Sequence, residues 1–349
     1  MKMRHPISGA VYERLAGGGC SVTEPGGRSG VFTDNGRWMS GELREADLHF
    51  LNWVGGPELE PGVPAARRGL DVASGAAPAP TARAGTAFAG GKGNGKGMDL
   101  GLSGKKALIT AASRGIGLAI ARQLADEGCD VAICARSAGA LESAAKELEQ
   151  RGIRVFARAL DVADGAALRA FIAEAAGALG GLDIFVSNAS AGGGTGERAW
   201  QATFDIDVMG AARGVEAALP FLAKSDAGSI VFISSTAALE YLGVPQPYNA
   251  MKAALIAHAG DLSQALAKQG IRVNTVSPGP IYFEGGSWQM IQQAMPAVYQ
   301  GALAQCAIGR MGTPEEVARV VVFLASPAAS WVTGANLVVD GGFTKRVAY

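Results

Sequence analysis

The chain has 349 residues, 48 % of them hydrophobic, with 31 basic and 31 acidic side chains and 50 glycines. That length holds one large core plus an appendage. A formal net charge of zero gives no pull toward nucleic acid or an anionic membrane surface, and no apolar stretch reaches the roughly 20 residues of a spanning helix, so neither kind of partner is expected.

Residues 1–60 read as a small β-rich module. Val11–Leu15, Cys20–Thr23, Gly30–Thr33 and Arg37–Met39 are short strand-like pieces between glycine turns. Glu42 to Val54, with Trp53, carries apolar residues in a helical run. About sixty residues make a marginal core, so a module that docks on the rest of the chain or on another subunit is expected, with a weakly ordered tail or a direct substrate role as the alternatives. From 61 to 97 the composition turns to Gly, Ala and Pro, ending in Gly90-Gly-Lys-Gly-Asn-Gly-Lys-Gly97, the composition of a flexible linker.

Residues 98–349 form the third segment. Lys105-Lys-Ala-Leu-Ile-Thr110 reads as a strand, Ala111 to Gly117 as a tight turn, and Leu118 to Glu127 as an amphipathic helix. Small residues in such a turn let the backbone approach a pyrophosphate, and the helix N-terminus offers free amides. The second strand, Asp130-Val-Ala-Ile-Cys-Ala135, ends without the acidic residue that would bond ribose hydroxyls; Ala135 holds that position, and Arg136 and Ser137 follow. Ser229-Ile-Val-Phe-Ile-Ser-Ser235 is an apolar, β-branched run that reads as a buried parallel strand, with Ser235 at its end. Tyr248 and Lys252, four residues apart, share one face of a helical turn. An ammonium beside a phenol favours the phenolate, which suits a proton donor to a substrate oxygen.

Further motifs stand in a fixed order around these: Asp161-Val162, Ser187-Asn-Ala-Ser190, Ser235 thirteen residues before Tyr248, Pro278-Gly279, Gly309-Arg-Met-Gly-Thr-Pro-Glu-Glu-Val317 and Val332-Thr-Gly-Ala-Asn-Leu-Val-Val-Asp-Gly-Gly342. From Met98 to the C-terminus the chain thereby resembles the short-chain dehydrogenase/reductase family, and is similar to its 3-oxoacyl-(acyl carrier protein) reductase-like members. The resemblance implies an α/β fold, a Rossmann-type doubly wound parallel sheet with helices on both faces, here behind the β-rich module. It implies a catalytic group of Ser235, Tyr248 and Lys252. It adds Asp207 to that catalytic group, in the position of the family's structural and proton-relay asparagine behind Lys252. Around the cofactor it implies Thr110, Ala112, Ser113, Arg114, Gly115, Ile116 and Gly117 at the turn, with Arg136 and Ser137 at the 2′-phosphate corner. Asp161, Val162, Asn188 and Ala189 line its length, and Tyr248, Lys252, Pro278, Gly279 and Ile281 surround the nicotinamide end. Substrate contacts are expected from Tyr241, Tyr282, Phe283 and Trp288, with Met290.

Three departures matter. Ala111 replaces the first glycine of the turn and fits if its φ stays negative. Asp207 lacks an amide donor and brings a carboxylate. Phe283 stands where a threonine commonly bonds the carboxamide.

Two arginines, Arg114 and Arg136, suit a phosphate dianion, so NADP(H) is the expected cofactor, with NAD(H) as the alternative. The expected activity is reversible hydride transfer between a ketone or aldehyde and an alcohol, on a lipophilic or aromatic substrate. The alternatives are an NAD-dependent alcohol dehydrogenase working oxidatively, and a nucleotide-binding regulator or scaffold with vestigial chemistry. By family analogy, helices such as Ala253 to Ala267 predict a homotetramer, or a homodimer. The four cysteines lack metal or disulfide spacing, and the three histidines form no metal motif. A basic N-terminus without an apolar segment is no signal peptide, so a cytoplasmic protein is expected.

Overall fold

Alternating apolar residues between glycine turns favour local antiparallel pairing, and the N-terminal strands pair in chain order: β1 (Lys2–Arg4), β2 (Val11–Arg14), β3 (Cys20–Thr23), β4 (Ser29–Phe32) and β5 (Trp38–Gly41). Tyr12, Cys20, Val22 and Phe32 fall on one buried face and pack with Ala10 and Leu43. β1 was not legible in the sequence, because Lys-Met-Arg carries no alternation. In this computed structural model the described residues are 2–4, 9–16, 18–33, 37–44, 46, 99–241, 243 and 245–346. The helical run expected at 42–54 falls outside them from residue 47 onward, as does the linker expected at 61–97. The chain divides into two units, Met1–Gly91 and Lys92–Tyr349.

In the second unit, near-continuous apolar runs form parallel strands buried on both faces. These are β6 (Lys106–Thr110), β7 (Asp130–Ala135), β8 (Val155–Ala159), β9 (Ile184–Ser187), β10 (Ser229–Ile233), β11 (Arg272–Pro278) and β12 (Asn336–Val339). They make one seven-stranded sheet in the order β12-β11-β10-β9-β6-β7-β8, parallel throughout. One face carries α1 (Gly115–Asp126), α2 (Ala138–Glu149) and, from further along the chain, α9 (Pro314–Ala325). The other carries α3 (Gly165–Leu179), α5 (Gly210–Leu222) and α6 (Pro247–Leu266). Before α5 come α4 (Glu197–Thr203) and a π-helical turn, Phe204–Met209. Two short helices, α7 (Ser287–Ala294) and α8 (Pro296–Gln305), follow β11. The doubly wound sheet expected from the sequence is the one observed. Because β6 pairs with β7 on one side and β9 on the other, the winding reverses between β6 and β9, where such folds open a crevice at the carboxyl ends of their strands.

Candidate active site

A cavity of about 1340 Å³ opens over those strand ends. Its floor is stitched across the reversal. The Thr110 hydroxyl oxygen accepts the backbone N–H groups of Asn188 (2.9 Å) and Ala189 (3.1 Å), while Asn188 Nδ2 donates to the carbonyls of Thr110 (3.0 Å) and Ala111 (3.2 Å). Ala111 adopts φ +54°, the only left-handed residue besides glycine among those described. The negative φ expected for it is therefore wrong: the turn demands the left-handed form, and the alanine methyl is carried there under strain.

The turn ends at an uncapped helix. Arg114 precedes α1 without a side-chain cap, so the first amides of α1 point out unshielded. A Cβ on Gly117 would lie 2.5 Å from the Ala111 carbonyl oxygen and from Asn188 Nδ2. Free amides and a missing side chain together fit a pyrophosphate. Of the turn residues singled out in the sequence, Ser113, Arg114, Ile116 and Gly117 line the cavity, whereas Thr110, Ala112 and Gly115 lie outside its lining and shape it.

Arg136, Ser137, Asp161 and Val162 line one end of the same cavity, and Asn188 and Ala189 its middle. Arg114 has another engagement. Its Nη1 donates to the Gly285 carbonyl at 2.7 Å, on the loop after β11. That loop also lays the Phe283 ring on the glycine turn, where a Cβ on Gly115 would come within 2.6 Å of it. Pro278, Gly279 and Ile281 line the cavity beside the loop. Gly279 is held there by close approach: its N–H donates to Val339 (3.0 Å), and a Cβ would meet Asp340 at 2.5 Å.

Ser235, Tyr248 and Lys252 line the same cavity on the β10 side of the sheet, with β9 and β6 between them and β7. Ser235 is the first residue past β10 apart from Ser234, and its Oγ accepts the Ala237 N–H at 3.1 Å, which leaves its own proton to donate. Pro247 opens α6 as an N-terminal proline can, and one turn brings the Lys252 Nζ 5.7 Å from the Tyr248 ring centre. Ser234 Oγ donates to the Lys252 carbonyl at 2.8 Å, fastening α6 to β10. The Lys252 ammonium is buried; it donates to the Ile233 carbonyl at 2.9 Å and faces Asp207 Oδ1 at 3.0 Å as an ion pair whose angles fall outside hydrogen-bond geometry. Asp207 itself sits in the π-helical turn, behind the cavity rather than in its lining.

The expected substrate residues divide. Phe283, Trp288 and Met290 line the cavity. Tyr241 does not: it is 73 % exposed and borders a neighbouring groove. Tyr282 turns away into a cluster with Ala302, Cys306 and Met311, and its hydroxyl donates to Gln292 Oε1 at 2.8 Å. Alternation along the loop explains this, since Phe283 faces the glycine turn and its neighbour must face the other way. Phe343 is among the lining residues that the sequence did not single out. It reaches the cavity from the C-terminal segment, where Asp340 accepts the Gly342 and Thr344 amides and the Thr344 hydroxyl. Burial pushes the Asp340 carboxyl up, but those hydrogen bonds outweigh it and hold the group below its ordinary value. Gln246 stands two residues before Tyr248, and its Oε1 accepts the Gly194 N–H at 3.2 Å, steadying the loop after β9.

Residues 110–344 match the family model described as Enoyl-(Acyl carrier protein) reductase. Isoepoxydon dehydrogenase patN of Penicillium expansum is 39 % identical over 250 residues, covering 70 % of this chain and 96 % of that protein. Dehydrogenase/reductase SDR family member 4 of Oryctolagus cuniculus is 35 % identical over 254 residues, covering 70 % and 96 %. Among solved structures, L-sorbose reductase from Gluconobacter frateurii, complexed with NADPH and L-sorbose, superposes with a TM-score of 0.66 at 34 % identity, covering 72 % of this chain and all of that one. A short-chain dehydrogenase from Burkholderia cenocepacia in complex with NADP gives 0.64 at 34 % identity, covering 70 % and 99 %.

Proposed function

Because the chain belongs to the short-chain dehydrogenase/reductase family and is an NAD(P)-dependent oxidoreductase, we propose that it is an NADPH-preferring carbonyl reductase working through Ser235, Tyr248 and Lys252. The observation that carries this reading is their convergence at one end of a cavity whose other end is lined by Arg136 and Ser137.

A bound nicotinamide supplies the hydride; the chain does the rest. Ser235, its oxygen already occupied by the Ala237 amide, donates its hydroxyl proton as a hydrogen bond to the substrate oxygen. Tyr248 gives that oxygen a proton. Lys252, held by Ile233 and Asp207, orients the ribose and supports the phenolate left behind. Arg136 and Ser137, with no acid at Ala135, favour a 2′-phosphate over a free ribose hydroxyl.

Trp288, Met290 and Phe343 give the substrate end an apolar wall, which supports a lipophilic or aromatic carbonyl. Gln246 and Asn249, also in the lining, suit a compound carrying a second polar group. A homotetramer or homodimer remains the family expectation. The four buried free thiols support a reducing, cytoplasmic setting.

Cofactor oxidation is the test, with NADPH beside NADH, against cyclic enones, L-sorbose, aromatic ketones and a 3-oxoacyl thioester. Tyr248→Phe is expected to lower turnover by about 10²–10⁴-fold while leaving NADPH affinity near wild type. Turnover unchanged in that variant sinks the mechanism, and turnover only with NADH sinks the cofactor assignment. An enoyl thioester in the same panel examines reduction at a carbon–carbon double bond.

A further inference from the structure

Asp207 and Lys252 form an ion pair with side chains 0 % and 2 % exposed, Oδ1 to Nζ 3.0 Å. The other carboxylate oxygen, Oδ2, accepts the Ala191 N–H at 2.8 Å, on the loop leaving β9. Each oxygen thus answers a different donor: one fixes the loop, the other faces the ammonium. Among the described residues no hydrogen-bond donor is aligned on Oδ1, so it is the charge of the Lys252 ammonium that compensates it.

An asparagine could not do both. It has one acceptor oxygen and, opposite, an NH₂ donor. With its oxygen on Ala191, the NH₂ would face an ammonium. With its oxygen on Lys252, the NH₂ would face the Ala191 N–H. Either orientation sets donor against donor at a buried pair. The π-helical turn Phe204–Met209 is what carries Asp207 to this point, since its extra residue per turn redirects a side chain.

We propose that Asp207 is a positioning residue that holds the Lys252 ammonium, and that this site is built around the carboxylate: the asparagine expected from the family would impair it. The proposal rests on the reading of Lys252 given above. It also yields an expectation opposite to simple analogy, in which Asp207→Asn would restore the family residue and improve the enzyme.

The experiment is a double-mutant cycle on the full chain: wild type, Asp207→Asn, Lys252→Met and the double variant. Thermal stability and NADPH affinity by fluorescence titration are measured for all four, with kcat and KM for wild type and Asp207→Asn. Asp207→Asn is expected to lower kcat and NADPH affinity by roughly tenfold or more, with KM for the carbonyl within about twofold because the substrate wall is untouched. The stability losses of the single variants are expected not to add, and the double variant to be more stable than Lys252→Met, which leaves a lone buried carboxylate.

Asp207→Asn with wild-type or higher kcat and wild-type NADPH affinity overturns the positioning role, even where the stability cycle is non-additive. Additive stability losses overturn the ion pair. Should no carbonyl turn over, the carbonyl-reductase reading fails by itself, while the stability cycle and the NADPH titration still decide this inference.

Discussion

At the scale of single residues, the site departs from its family at points that the geometry makes specific. Ala111 stands at φ +54°, a conformation costing an L-residue about 1–2 kcal/mol that glycine does not incur. Ala111→Gly is therefore expected to raise the unfolding free energy by about 1 kcal/mol, read as a higher urea midpoint at unchanged slope. Glycine's larger unfolded-state entropy offsets part of the gain, so a lower midpoint would mean that the strain is absent. The strain lies in the turn that carries the Ala111 carbonyl, the acceptor of Asn188 Nδ2.

Among the elements, the glycine turn, the start of α1 and the loop after β11 act together. Phe283 lies on Gly115, and Arg114 holds the Gly285 carbonyl at 2.7 Å. The loop is thus fastened to the very turn whose amides would meet the pyrophosphate. Gly115 has φ +56° and no room for a methyl beneath the Phe283 ring, so Gly115→Ala should both strain the backbone and lift the loop. The expected result is NADPH affinity at least about tenfold weaker, measured by fluorescence titration. Adding Phe283→Ala should recover part of it by removing the clash. No recovery would leave backbone strain as the whole cause.

On the scale of the whole molecule, stability against acid has an identifiable contributor in α9, which packs with α1 on one face of the sheet. Glu316 accepts the Arg310 guanidinium at 2.8 and 2.6 Å and the Thr313 N–H at 2.9 Å. The Arg310 hydrogen bonds, against partial burial, lower its carboxyl from 4.5 to about 2. A depressed carboxylate stabilises the fold fully above its unfolded value and loses that contribution as pH falls toward the folded one. With Glu316 one-third exposed, solvent screening leaves about 1 kcal/mol. Glu316→Gln should accordingly be less stable than wild type at pH 7, by urea unfolding, and the gap should narrow by pH 3.5. A gap independent of pH would assign the loss to helix capping alone.

What the sequence by itself determined follows from periodicity and short-range spacing. Apolar runs such as Asp130–Ala135 and Ser229–Ile233 declare strands of a parallel sheet because both faces of the sheet are covered. Tyr248 and Lys252 declare a shared helical face because one turn separates them. The strand pieces of the N-terminal unit were legible for the same reason, apart from Lys2–Arg4. Only the tertiary structure decided which groups meet across long separations. It brought Phe343 beside Trp288, turned Tyr241 and Tyr282 out of the cavity, and gave Arg114 to Gly285 rather than leaving it unengaged. It also joined Asp207 to Lys252, forty-five positions along the chain. Those outcomes depend on where a left-handed turn, a π-helical turn and a loop direct their side chains, and local pattern carries no record of that direction.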